Sequence, residues 1–157
     1  PALNPKQPST SFRIRNRDFR VDVLTPMRGR ETTRPVKLDQ FGTYATPLRH
    51  LDFLLEDIQP AVLLYGHGIM INVPAPGRFA IHKCAISQKR GTAAAAKIRK
   101  DLSQAEQVFE ALLDIRPADI TLALRAAGEK DAAFREKVDA GIEQLDSTIA
   151  NEIRKLR

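Results

Sequence analysis

A chain of 157 residues, 43% hydrophobic and 28% charged, has the composition of a soluble globular protein and room for one compact domain or a domain with a helical extension. A single cysteine, Cys84, rules out an internal disulfide and any multi-cysteine zinc site and fits a reducing cytoplasmic compartment, while 6% aromatic residues and no Trp argue against a stacking platform for single strands. No apolar run reaches the roughly 18 residues that span a bilayer, and no signal-peptide pattern opens the chain.

The net charge of +6 is unevenly placed. Residues 1–100 hold 17 Lys and Arg against 7 Asp and Glu, and residues 101–157 hold 8 against 12. A basic front of +10 suits phosphate, through nucleotide, RNA or DNA contacts within residues 13–100, and an acidic tail of −4 suits a solvated helical surface. An uneven but merely solvated surface is the plainer alternative.

The chain opens on a loose segment, PALNPKQPST, without methionine. The order of its later segments is that expected of the C-terminal part of a longer protein. From Ser11 to Thr25 (SFRIRNRDFRVDVLT), alternation on either side of Asn16-Arg17-Asp18 predicts a β-hairpin. Asp22 then faces away from Phe19, Val21 and Val23, either as a functional carboxylate or as an exposed strand Asp paired with Arg20 or Arg13. Residues 25–35 form a loop in which Arg28 and Arg30 flank Gly29, with Arg34 nearby. Such a loop holds a phosphate or is a solvated turn. Pro35 to Leu38 suits a short strand, and Gln40 to Pro47 reads as irregular. Leu48 to Glu56 fits helix or strand equally. His50 lacks partners at ligand spacing and is expected at the surface.

AVLLY (61–65) and IMINV (69–73), joined by Gly66-His67-Gly68, predict a second hairpin buried on at least one face. The glycines lack the pattern of a phosphate loop. From Pro76 the period becomes helical, with Phe79, Ile81, Ala85 and Ile86 inward and Lys83 and Arg90 on a shared face two turns apart. Ile98, Leu102, Ala105, Phe109 and Leu112 mark a second helix. Arg116-Pro117 starts a third, with Ile120, Leu122 and Leu124 inside and Gly128 at its end. Asp131 caps a fourth, whose apolar stripe runs from Phe134 to Leu156 and packs on its own core or on a partner chain. The fold class is α+β, a strand-rich portion at 1–73 and a helical portion at 74–157.

The segments FRVDVLTP, LRHLDFLLE, VPAPGRFAIHKCAISQKR and KIRKDLSQAEQVFEALL together resemble the later motifs of bacterial nucleotidyltransferase-fold proteins of the DNA polymerase beta superfamily. The likeness is to a little-characterised group, and more distantly to toxin nucleotidyltransferases of abortive-infection systems. It covers roughly Phe19 to Leu113. The resemblance implies a nucleotidyltransferase-like mixed or antiparallel sheet followed by a helical bundle. It further implies Mg²⁺-dependent transfer of a nucleotidyl group from a nucleoside triphosphate such as ATP to an acceptor. Asp22 matches the third of three metal-holding carboxylates. Lys83 matches a lysine that steadies the triphosphate, and Arg90, Lys100 and Asp101 match a recurring element behind it.

The family's first two carboxylates follow a Gly-Ser as an Asp-x-Asp pair, and neither motif occurs in these residues. A lone Asp22 cannot hold two metals. The expectation is therefore an inactive part of a nucleotidyltransferase, or else a non-catalytic nucleotide- or nucleic-acid-binding module. Lys83 also reads as a snorkelling lysine, and Lys100-Asp101 as a helix start.

Overall fold

A computed structural model describes residues 8–17, 19–88 and 94–157 and shows an α+β protein. Two compact units follow each other along the chain, Pro1–Asp52 and Phe53–Arg157.

In the first unit, β1 (Ser11–Arg13) and β2 (Arg20–Asp22) form an antiparallel hairpin in which Ser11 faces Asp22 and Arg13 faces Arg20. Asn16 takes the left-handed conformation at its turn (φ 60°), which Asn adopts more readily than most residues. The strand expected to run on to Thr25 breaks at Val23. Its N–H donates to Thr10 (2.8 Å) and its carbonyl accepts from Thr46 (2.9 Å), so Val23 carries the chain from one sheet into another. There β3 (Leu24–Pro26) lies parallel to β5 (Thr43–Leu48), whose other edge takes β4 (Val36–Leu38) antiparallel.

The segment expected to be irregular, 40–47, is thus mostly the central strand of this sheet. Pro47, which has no N–H to give a ladder, obscured it. A 3₁₀ turn at Asp39–Phe41 leads into β5, closed by Gly42 at φ 57°. Contrary to expectation His50 is buried, in the turn after β5.

The boundary helix α1 (Leu51–Leu55) takes up the part of 48–56 that periodicity left open. In the second unit β6 (Ile58–Leu63) pairs with β7 (Ile69–Pro74), Ile58 against Pro74 and Leu63 against Ile69. By contact this hairpin groups with the helices rather than with the strands before it. Ala75 N–H donates to the Asp57 carbonyl at 2.9 Å, holding the base of the hairpin at the start of the next helix. The expectation of a buried face fails here, because Val62, Leu63, Ile69, Met70 and Ile71 are all exposed.

Five helices complete the unit: α2 (Pro76–Ser87), α3 (Ala95–Ile115), α4 (Pro117–Gly128), α5 (Ala132–Ile142) and α6 (Ser147–Lys155). Pro at the first position of α2 and α4 suits a helix start, where its missing N–H would have no helical partner. The core gathers Ile81, Cys84, Phe109, Ile120, Phe134 and Ile153 around α2, and Phe53 meets Phe134 with ring centroids 5.0 Å apart. In α4 the inward residues are Ile120, Ala123 and Ala127, at helical spacing, and Leu122, expected inside, is 60% exposed. The long fourth helix is two. Asp146 caps α6 by accepting from Thr148 N–H (2.8 Å), and Glu106 accepts from the Asp146 N–H (2.8 Å). The apolar stripe of 134–156 turns at this break and packs on its own core.

Helix α2 sits in close contact with α3, α4 and α5 because small residues let backbones approach. A Cβ on Gly77 would lie 2.6 Å from the Asp119 carbonyl oxygen of α4, and one on Gly141 would lie 2.4 Å from the Cys84 carbonyl oxygen. Backbone on both sides leaves Gly141 no room to give. Gly141→Ala is expected to lower unfolding stability by about 3 kcal/mol. Gly128→Ala, with nothing within 4 Å of the new methyl, should leave it unchanged or slightly raised. Urea unfolding of both variants, with the same loss in each, would contradict that packing.

Candidate functional site

Asp22 is the last residue of β2, and Arg20 two positions earlier lies on the same face, as strand alternation requires. Their side chains form a 3.0 Å ion pair, with the Asp22 side chain 42% exposed. The carboxylate is thus open to solvent and held by an arginine that is itself exposed. Among the described residues no group of three or more His, Cys, Asp or Glu is placed to hold a metal ion. One carboxylate paired with an arginine does not fit two divalent cations, so no step through a metal follows from these residues. Asp18 lies outside the described residues, as does Arg90.

Arg28 and Arg30 occupy the exposed loop after β3, and Arg49 joins them by donating from Nη2 to the Gly29 carbonyl at 3.2 Å. Gly29 has φ 72°, a conformation that favours glycine and turns the loop between the two arginines. Arg28 also lines a cavity of about 310 Å³ with Met27, Thr32 and Val36.

The structure does bring two of the expected residues together. Lys83 Nζ on α2 lies 2.9 Å from Asp101 Oδ1 on α3, with side chains 18% and 5% exposed. Lys83 also sits 5.3 Å from the centre of the Phe79 ring. Lys83 is therefore neither a free cation nor a snorkelling one. Lys100, adjacent to Asp101, is exposed with Lys97 and Arg99 along the first turns of α3.

A further cluster was not singled out from the sequence. Arg78 Nη1 donates to the Phe53 carbonyl (2.7 Å) and to Glu56 Oε2 (3.0 Å), and its guanidinium lies 5.0 Å from the Phe53 ring centre. Lys130 Nζ reaches the other oxygen of Glu56 at 2.6 Å. Seventy-four residues separate Glu56 from Lys130, which no local pattern could link. The only hint was an acidic pair, Glu56-Asp57, at the end of an ambiguous segment.

The hydrogen bond from Lys130 holds the Glu56 carboxyl below its ordinary value of 4.5, with Arg78 adding to the effect and burial opposing it. A depressed carboxylate pKa stabilises the fold above the unfolded value, and that contribution fades as pH falls through the folded one. Glu56→Gln should therefore be less stable than the parent chain at pH 7. The difference should close as pH drops below about 4.5, read by thermal unfolding across pH. A gap that stays constant with pH would show that the ion pairs do not cause it. Burial pushes the Cys84 thiol up to about 12, which removes it as a nucleophile.

A nucleotidyltransferase family model matches residues 1–128, most of the chain and, of the site residues just described, all but Lys130. The chain belongs to this nucleotidyltransferase family. No curated protein and no solved structure matches it. The family match covers both compact units up to the end of α4, so α5 and α6 lie beyond it. No helix among the described residues of this family member is long and apolar enough to cross a membrane.

Proposed function

We propose that the full-length protein transfers a nucleotidyl group from a nucleoside triphosphate to an acceptor, using Mg²⁺. In that reaction an acceptor oxygen or nitrogen bonds to the α-phosphorus. The bond from the α-phosphorus to the bridging oxygen breaks, pyrophosphate leaves, and the acceptor's proton passes to water. The family match over 1–128 is the observation that carries this reading. The solvent-open carboxylate of Asp22, at the end of a strand, suits one of three metal-holding carboxylates. The other two are not supplied by a Gly-Ser and Asp-x-Asp motif within residues 1–157. On this reading these residues alone do not transfer. Lys83 has a role beside the triphosphate, fixed in place by Asp101. Arg28 and Arg30 offer bidentate donors for its phosphates.

Two labels test the reaction. Full-length protein with Mg²⁺ should move label from the α-phosphate of a nucleoside triphosphate into product, and label at the γ-phosphate should leave as pyrophosphate. Movement of the γ-label to the acceptor would mean a kinase-like reaction and overturn the proposal.

A second reading rests on the exposed Lys97, Arg99 and Lys100 along α3, together with the arginine loop after β3. These would serve a non-catalytic module that binds RNA or DNA. Such binding falls steeply with added salt, which a titration at two salt concentrations would show.

A further inference from the structure

Helix α4, where the family match ends, lines a half-open cavity of about 510 Å³ with α5 and the end of α6, which lie beyond the match. That volume falls in the range of small-molecule sites, which combine an apolar lining with a few converging polar groups. Leu124, Val138 and Leu156 supply the apolar lining. Three guanidinium groups, from Arg125, Arg135 and Arg157, border it with a single carboxylate, Asp139.

The arginines are differently committed. Arg157 pairs with Asp139, which cancels one positive charge. Arg135 Nη1 donates to the carbonyls of Gly128 (3.2 Å) and Lys130 (3.1 Å), which holds the side chain at the cavity and leaves its charge uncancelled. Arg125 has no hydrogen-bond or ion-pair partner among the described residues. Two unneutralised guanidinium charges thus border an aliphatic surface. Fork-shaped donors of this kind match the oxygens of a phosphate, and an apolar lining rewards an alkyl group in contact with it.

We propose that this cavity binds a small phosphate monoester with an aliphatic body, in a site formed by α4, α5 and α6 whose lining includes neither Asp22 nor Lys83. The phosphate is held by Arg125 and Arg135, and the alkyl chain lies along Leu124, Val138 and Leu156. Neither inorganic phosphate nor a neutral alcohol satisfies both halves of the site.

Calorimetric titration of the full-length protein with n-hexyl phosphate, inorganic phosphate and n-hexanol tests this. Hexyl phosphate should bind at least about tenfold more tightly than either comparator, the separation expected when a charged hydrogen bond and apolar burial both contribute. Arg125→Gln should weaken it by about tenfold, since that side chain holds nothing else in the fold. Leu156→Trp, which fills the cavity, should abolish binding, and circular dichroism checks that both variants fold. Asp22→Asn should leave hexyl phosphate binding intact, so failure of the catalytic reading and failure of this one are told apart. Hexyl phosphate binding no more tightly than hexanol or inorganic phosphate would overturn the site. So would an affinity that Arg125→Gln leaves unchanged.

Discussion

Replacing Lys83 with methionine is expected to destabilise the Phe53–Arg157 unit by about 3 kcal/mol, the lower end of what breaking a buried ion pair costs. The pair joins α2 to α3 across 2.9 Å, and the Asp101 side chain is only 5% exposed. Removing the ammonium takes a short charge-assisted hydrogen bond from a carboxylate with little access to water. The lower end applies because Lys83 keeps 18% of its own exposure, so solvent screens part of the attraction. Methionine preserves most of the aliphatic stem and so isolates the charge from the packing.

The double variant Lys83→Met/Asp101→Asn should recover part of the loss, because no net charge is then left buried. Urea unfolding of the parent chain, both single variants and the double variant gives the coupling. A single-variant loss below about 1 kcal/mol would place the pair with ordinary surface ion pairs. Its use as an anchor for a triphosphate lysine would then fail as well.

Helical periodicity was the most readable signal in this chain. Residues 98 to 112 predicted α3 closely, because spacings of three and four recur over a segment long enough to leave no rival. Alternation around Asn16 likewise predicted the β1–β2 hairpin, and of the two partners it left open for Asp22, Arg20 and Arg13, Arg20 is the one that pairs. Periodicity found helix α2, with Ile81 and Ala85 buried as expected, but not the full extent of its burial. Helix α2 hides Gly77, Ala80, Ile81, His82 and Cys84 together, so its sequence shows no single apolar stripe.

The break between α5 and α6 was missed because the stripe continues through it. Only Asp146, a good cap followed by Ser147 and Thr148, marked the stop. The exposed hairpin β6–β7 misled in the opposite way. Continuous apolar runs such as AVLLY normally announce burial, yet here both strands face solvent along most of their length.

Of the candidate site, alternation placed Asp22 on a strand and helical spacing placed Lys83 on a helix, while the roles expected of them came from the resemblance alone. The partnership of Lys83 with Asp101 was not legible. It joins residues on different helices, whereas in the sequence Asp101 stands beside Lys100. The Arg78–Glu56–Lys130 cluster was hidden for the same reason, since its members come together only when α2 and the connection between α4 and α5 meet the turn after α1.

Nucleotidyl transfer by the full-length protein should depend on Asp22 more than on any other residue of this chain. Its carboxylate is exposed and, among the described residues, paired only with an exposed arginine, so Asp22→Asn should change stability by less than about 1 kcal/mol. The loss it causes is therefore chemical. Asparagine keeps the shape and removes the negative charge that a divalent cation requires. On the proposed reading Asp22 would be one of the carboxylates holding a divalent cation, which would supply charge to offset that on the leaving pyrophosphate, and losing it would cost about 4 kcal/mol or more of the barrier. Asp39, an exposed carboxylate paired with Lys37 in the same unit, serves as the control.

The measurement is the rate of label transfer from an α-labelled nucleoside triphosphate in Mg²⁺ by the parent protein, Asp22→Asn and Asp39→Asn. A fall of about a thousandfold for Asp22→Asn, with Asp39→Asn near the parent rate, is the result expected of a nucleotidyltransferase built around Asp22. Transfer by Asp22→Asn within about tenfold of the parent would contradict it, since that corresponds to little more than 1 kcal/mol.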